Sequence, residues 1–182
     1  STDVFSWPAV DASDQLAYFH AAAPLGGNPG IGRLVVAPLA TPDSTTTLAT
    51  FPMQGASAFY VQPAFVRWLG NGRLVFLGLV DTPAQPCGSC NVLVRSGHDI
   101  FVADLSTAPA TLAVVPGTLY ATSVAAVPGN PDLIYYTLAG DSRILSRALA
   151  AGAVSTVHDF GPGVIVRDLS VGANRLAAIV GG

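Results

Sequence analysis

The residues best suited to chemistry stand together in one stretch, "DTPAQPCGSCNVLVRSGH", residues 81–98. It holds both cysteines of the chain, Cys87 and Cys90, and the histidine His98, with Asp81 and Arg95 near its ends. A C-x2-C pair can close a local disulfide, cycle as a redox couple, anchor haem or ligate zinc. Haem attachment needs a histidine directly after the second cysteine, where Asn91 stands. A redox couple belongs at the N-terminus of a helix in a βαβ unit, a context the sequence does not offer. Zinc would take Cys87, Cys90 and His98, with His20 and His158 as further imidazoles, but no second C-x2-C pair completes the set. An even cysteine count in a β-rich chain of exported character favours a Cys87–Cys90 disulfide. So short a loop would order the insertion more than it would stabilise the fold. No cofactor is expected, and Asp81, Arg95 and His98 become candidate binding residues on this loop.

Other charged and nucleophilic residues favour structural roles. Arg67, Arg167 and Asp168 fall in strand-like segments nearest the expected centre of the fold, where ionic groups must pair or line a channel. Neighbouring residues of a strand point to opposite faces, so Arg167 and Asp168 cannot converge as an acid–base pair. "GASAF" (55–59) lacks the second glycine of a nucleophile elbow, and "GNPGIG" (27–32) has no helix to receive a phosphate.

The elements that position these residues repeat. "VDASDQLAYFH", "WLGNGRLVFLG", "VPGNPDLIYYT" and "VGANRLAAIVG" each read as strand, tight turn and strand. They align on Leu16, Leu74, Leu133 and Leu176, at spacings of roughly forty to sixty residues. Gly, Asn and Asp before each leucine supply the positive φ of a tight hairpin. A third strand follows in three copies (33–40, 99–106 and 143–150), and a fourth closes each (45–51, 110–116 and 153–160). Four antiparallel strands repeated radially make a β-propeller, whereas a β-sandwich has no reason to repeat a four-strand unit.

Composition agrees with an all-β chain. The 182 residues are 51% apolar and 10% charged, ample for a core. All cations are Arg and all anions Asp, so the helix formers Lys and Glu are missing. A net charge of -3 without an Arg cluster argues against a nucleic-acid partner. Uncharged runs such as 110–131 are broken by Pro and Gly, so no membrane span is expected. The start at Ser1 shows no basic, apolar leader. Any export signal would have been removed or left out; the expected location is extracytoplasmic, periplasmic or secreted, and the Arg-only, Ala/Gly/Pro-rich usage fits a GC-rich bacterial genome.

The pattern resembles the TolB-like, WD40-like (PD40) propeller repeat. That repeat carries W/F-S-P-D-G-x-x-L/I-A-F in its first hairpin and I-Y-V-x-D-L in its third strand. "VDASDQLAYF", "WLGNGRLVFL" and "IFVADLS" come nearest, though no copy keeps the S-P-D-G turn and the G-H…W-D pairs of WD40 blades are missing. The resemblance implies a fold and a protein–protein interaction rather than a reaction.

The expected architecture is all-β: a β-propeller with about three and a half four-stranded blades present, at roughly 5–52, 59–116, 120–160 and 163–182. A ring needs more, so the remaining blades of a longer propeller, or a second copy, are expected to close it. Loops between second and third strands share one face, and two are enlarged, 21–32 and 81–98. The expected function is a non-enzymatic binding or scaffold module presenting these loops to a protein or glycan. The alternative is the propeller domain of a larger hydrolase, of the prolyl-oligopeptidase-like kind, or a metal-dependent hydrolase.

Overall fold

The computed structural model describes residues 4–22, 31–52, 64–81, 95–107, 110–172 and 175–181. Within them all regular structure is β-strand. Four strands, β1 (Val4–Val10), β2 (Gln15–Ala22), β3 (Ile31–Pro38) and β4 (Thr46–Pro52), pair antiparallel in chain order. A second sheet contains β5 (Ala64–Gly70), β6 (Arg73–Asp81), β7 (Arg95–Asp104) and β8 (Thr111–Val114). A third contains β9 (Ala121–Val127), β10 (Asn130–Leu138), β11 (Arg143–Ala148) and β12 (Val154–Asp159). The last is the hairpin of β13 (Ile165–Val171) and β14 (Leu176–Gly181). The first strand of each sheet packs beside the first strand of the next, in the order β1, β5, β9, β13. This is the arc of a β-propeller, with three four-stranded blades and a two-stranded fourth.

The apolar runs explain the arc. Along "LVFL" in β6, side chains alternate sides: Leu74 and Phe76 pack towards Leu34 and Val36 of blade one, while Val75 and Leu77 pack towards Val124 and Ile134 of blade three. A strand buried on both faces must be apolar throughout, which is why these strands show no polar alternation. A third core, Ala125 and Ile144 against Val166 and Leu169, joins blades three and four. The outermost strands β8 and β12 are exposed along their length.

The turns carry the chemistry read from their sequence. Between β5 and β6, Gly70, Asn71 and Gly72 all take positive φ (96°, 54° and 70°), a run that Gly and Asn tolerate best.

Strand ends differ from expectation in the enlarged loops. β7 starts at Arg95 rather than 99, because pairing continues through Leu79↔His98 to Asp81↔Arg95. β3 likewise starts at Ile31, paired with Ala22. Asp81, Arg95 and His98, expected in a loop, therefore belong to strands, and the ladder's main-chain hydrogen bonds extend there without an apolar pattern to announce them.

Candidate functional site

Two ends of the arc offer sites, and the hairpin stems define the first. In blade one, pairing runs from Leu16↔Ala37 out to Ala22↔Ile31; in blade two it runs from Leu74↔Ala103 to Asp81↔Arg95. In blade three it runs only from Leu133↔Ala148 to Tyr136↔Leu145. Blades one and two thus carry longer second-to-third-strand stems than blade three, both towards the same end of the arc. Segments 23–30 and 82–94, which these stems connect, lie outside the described residues, and Cys87 and Cys90 with them.

Asp81 and Arg95 are cross-strand backbone partners at the root of the blade-two segment. Three residues on, His98 is half-buried, and burial lowers its pKa below the ordinary imidazole value. Next to its neighbour Asp99, the Thr118 hydroxyl accepts the Ile100 amide (3.0 Å) and donates its one proton to the Val115 carbonyl (2.7 Å), with Asp99 Oδ1 3.3 Å away as the alternative acceptor. Fully buried Thr118 thereby ties β7 to the segment leading into blade three.

The other histidines lie on different strands. His20 is in β2 opposite Arg33, and exposed His158 is in outermost β12, edge-on to Phe160 with ring centroids 4.4 Å apart. Among the described residues no group of three or more His, Cys, Asp or Glu side chains is placed to hold a metal ion.

The second site is at the opposite end, where the innermost strands run into their hairpin turns. A cavity of about 580 Å³ opens there, lined by the ends of β1, β5, β9 and β13. That volume is in the range of small-molecule pockets. Its walls include Val10, Trp68, Leu69, Ala126 and Val171. Trp68 is fixed by its indole N–H, which donates to the Ala9 carbonyl across the blade boundary (3.1 Å).

Arg67 lines this cavity, half-buried. Its Nη1 donates to the carbonyl of Val66 (2.9 Å), and its guanidinium carbon is 6.0 Å from the Phe65 ring centroid. Arg167 is exposed on β13 beside Gly181, away from the cavity. Asp168 accepts hydrogen bonds from the Leu169 amide (2.7 Å) and from Ser123 Oγ of β9 (3.3 Å), a brace between blades three and four. Arg167 and Asp168 are not brought together with each other or with Arg67.

The cavity is the feature that sequence reasoning missed. Its signal is present but faint: each inner strand reaches its turn with small residues, such as Ala9, Gly70, Ala126 and Ser170, which leave space where four strands meet.

No family model and no curated protein matches the chain. Solved structures do. A gluconolactonase from Xanthomonas campestris superposes with a TM-score of 0.54 at 16% identity, over 96% of this chain and 55% of the other. A chain of a nidogen/laminin complex superposes with a TM-score of 0.55 at 10% identity, over 97% of this chain and 72% of the other. The chain thus spans about half the length of the gluconolactonase. At these identities the likeness is one of fold, and the class it defines is the β-propeller.

Proposed function

We propose that this chain is a binding module, a TolB-like propeller segment that recognises a protein or glycan partner outside the cytoplasm through the segments borne on the β2–β3 and β6–β7 stems. The observation that carries the reading is the pair of extended stems on neighbouring blades, reaching beyond the corresponding hairpin of blade three. Rigid stems hold variable segments at little entropic cost, the usual division of labour between scaffold and recognition loop. Cys87 and Cys90 fit this role as a disulfide that orders the tip of the blade-two segment.

Further blades of the same ring, or a second copy, are the partners proposed for the far side of blade four. The nidogen/laminin chain is part of a protein complex by its description, and the gluconolactonase is an enzyme by its own. Both sit on the same fold, so the decision rests on the site.

The test replaces 23–30 and 82–94, singly and together, with the short "AGDS" connection (139–142) of blade three. Cross-linking with mass spectrometry is then run on extracytoplasmic material from the source cell. The expected result is a defined partner that cross-links to residues of these segments and is lost in the double replacement, with an unchanged thermal midpoint. Turnover of a lactone or peptide by the intact chain, or a partner retained by the double replacement, would overturn the reading.

A further inference from the structure

The seam between blades two and three carries an inference independent of the proposed recognition face. Arg147 stands on β11, and its cross-strand partner on β10 is Ile134. Two residues away on each strand, Tyr136 pairs with Leu145. Ile134, Tyr136 and Leu145 belong to one core with blade two. Arg147 and Tyr136 therefore share the face turned towards blade two, as diagonal neighbours.

Arg147 is half-buried, and its Nε is buried without a hydrogen-bond partner. Among the described residues its guanidinium meets no acceptor at all. The carboxylates of blade three are engaged elsewhere: Asp132 with Arg73 (2.8 Å), Asp141 with Arg143 (2.8 Å), and Asp159 with Ser142 Oγ (2.7 Å) and the Gly161 amide (2.9 Å). Tyr136 is 2% exposed, and its hydroxyl likewise has no partner among the described residues. Burial holds that phenol above its ordinary pKa, against the pull of the Arg147 charge, so it stays a proton donor at neutral pH. A cation and a hydroxyl drawn from water without acceptors are costly unless a ligand supplies them.

Glycines from two turns leave room at the terminal nitrogens of the guanidinium. A Cβ on Gly117, in the segment that crosses from blade two to blade three, would lie 4.0 Å from Nη1. One on Gly152, in the β11–β12 turn, would lie 3.5 Å from Nη2. Parallel guanidinium N–H groups match two oxygens of an anion, and the phenol offers a donor to a third. A planar carboxylate has only two oxygens, whereas a tetrahedral oxyanion has oxygens to spare.

We propose that Arg147 and Tyr136 form a binding site for a tetrahedral oxyanion, phosphate or the phosphoryl group of a monoester, between blades two and three.

The intact chain is titrated by calorimetry with inorganic phosphate, glycerol 1-phosphate and acetate at one ionic strength. Phosphate is expected to bind about tenfold more tightly than acetate and to raise the thermal midpoint. Binding of phosphate without the ester would make the free anion the ligand, and binding of both would make it the phosphoryl group of a larger molecule. Arg147→Met keeps most of the aliphatic stem and is expected to lose about tenfold in phosphate affinity, and with it the rise in midpoint. Tyr136→Phe, of nearly the same volume, is expected to weaken phosphate about fivefold and to leave acetate unchanged. No phosphate binding by the folded chain, equal affinity for acetate, or phosphate affinity retained in full by Arg147→Met or by Tyr136→Phe would each overturn the assignment.

Discussion

The seam between blades two and three and the hairpin of blade four are built from the same kind of strand and differ in what surrounds them. At the seam, Val75, Leu77 and Ile100 of blade two interlock with Val124, Ile134 and Tyr136 of blade three, all buried. Arg73 spans the same boundary, donating to the Pro131 carbonyl (2.9 Å) and to Asp132 Oδ1 (2.8 Å). Among the described residues blade four has a partner on one side only. Val166 and Leu169 face blade three, while Ile179 on β14 is 61% exposed and Val180 46%. A propeller blade therefore takes its stability from both neighbours, as a repeat in a solenoid does, and a blade with one described neighbour is held by about half of what holds blades two and three.

The largest test of that difference is truncation at the two cores. Ile134→Ala at the fully buried seam is expected to cost about 3 kcal/mol, read as a lower urea midpoint with the slope unchanged. Leu169→Ala removes a similar volume at the blade-four core, and its loss should appear first as lost amide protection in 165–181, with a smaller change in the global midpoint. Equal global costs would break the comparison, because blade four would then unfold with the rest.

Next in size is a contact inside blade two. A Cβ on Gly78 would meet the Phe101 ring at 2.6 Å, and that ring stacks on Phe76 with centroids 5.6 Å apart and planes 13° from parallel. Gly78→Ala must push the stacked pair off its seat and is expected to cost about 2 kcal/mol by thermal melt. A neutral result would mean that the blade-two interior is looser than its burial implies.

These features were not equally legible. The hairpins anchored on Leu16, Leu74, Leu133 and Leu176 could be read because strands buried on both faces write continuous apolar runs, and because "GNG" has few other uses than a tight turn. The beginning of β7 could not. "RSGH" (95–98) extends past the core, so its pairing with β6 leaves no hydrophobic period behind it. The Arg73–Asp132 pair joins residues 59 apart in the chain, which no local pattern announces. The cavity was hidden for the same reason, since four strand ends from different blades create it and each contributes only a small residue or two. Arg67 was legible as an inner-strand cation, but the contacts of its guanidinium with the Val66 carbonyl and the Phe65 ring become visible only when the neighbours are placed.

Arg73 offers a smaller test at the seam itself. Its side chain is 21% exposed and that of Asp132 58%, so solvent screens the pair. Arg73→Ala is expected to cost about 1 kcal/mol, part of it from the hydrogen bond to the Pro131 carbonyl. A double-mutant cycle with Asp132→Asn should assign roughly 0.5 kcal/mol to the ion pair, less at high salt. A coupling several times larger would make electrostatics, rather than apolar interlocking, the bond between these blades.

The smallest expected effect falls on blade four and sharpens the comparison most. Ile179 lies opposite Asp168 on the side of the hairpin away from Leu169 and Ala178, which face blade three. In the dilute chain its side chain has little burial to lose, so Ile179→Ser should shift stability by less than about 0.5 kcal/mol. An exposed β edge beside apolar side chains is nevertheless a template for further pairing. The same substitution should therefore weaken association of the chain at high concentration, followed by native mass spectrometry across a dilution series. A large loss of stability in the dilute monomer would mean that Ile179 already has a partner within the chain. No change in association would assign the contacts of this side to residues other than Ile179. A selective loss of association would give blade four the same dependence on two neighbours that the seam between blades two and three already shows.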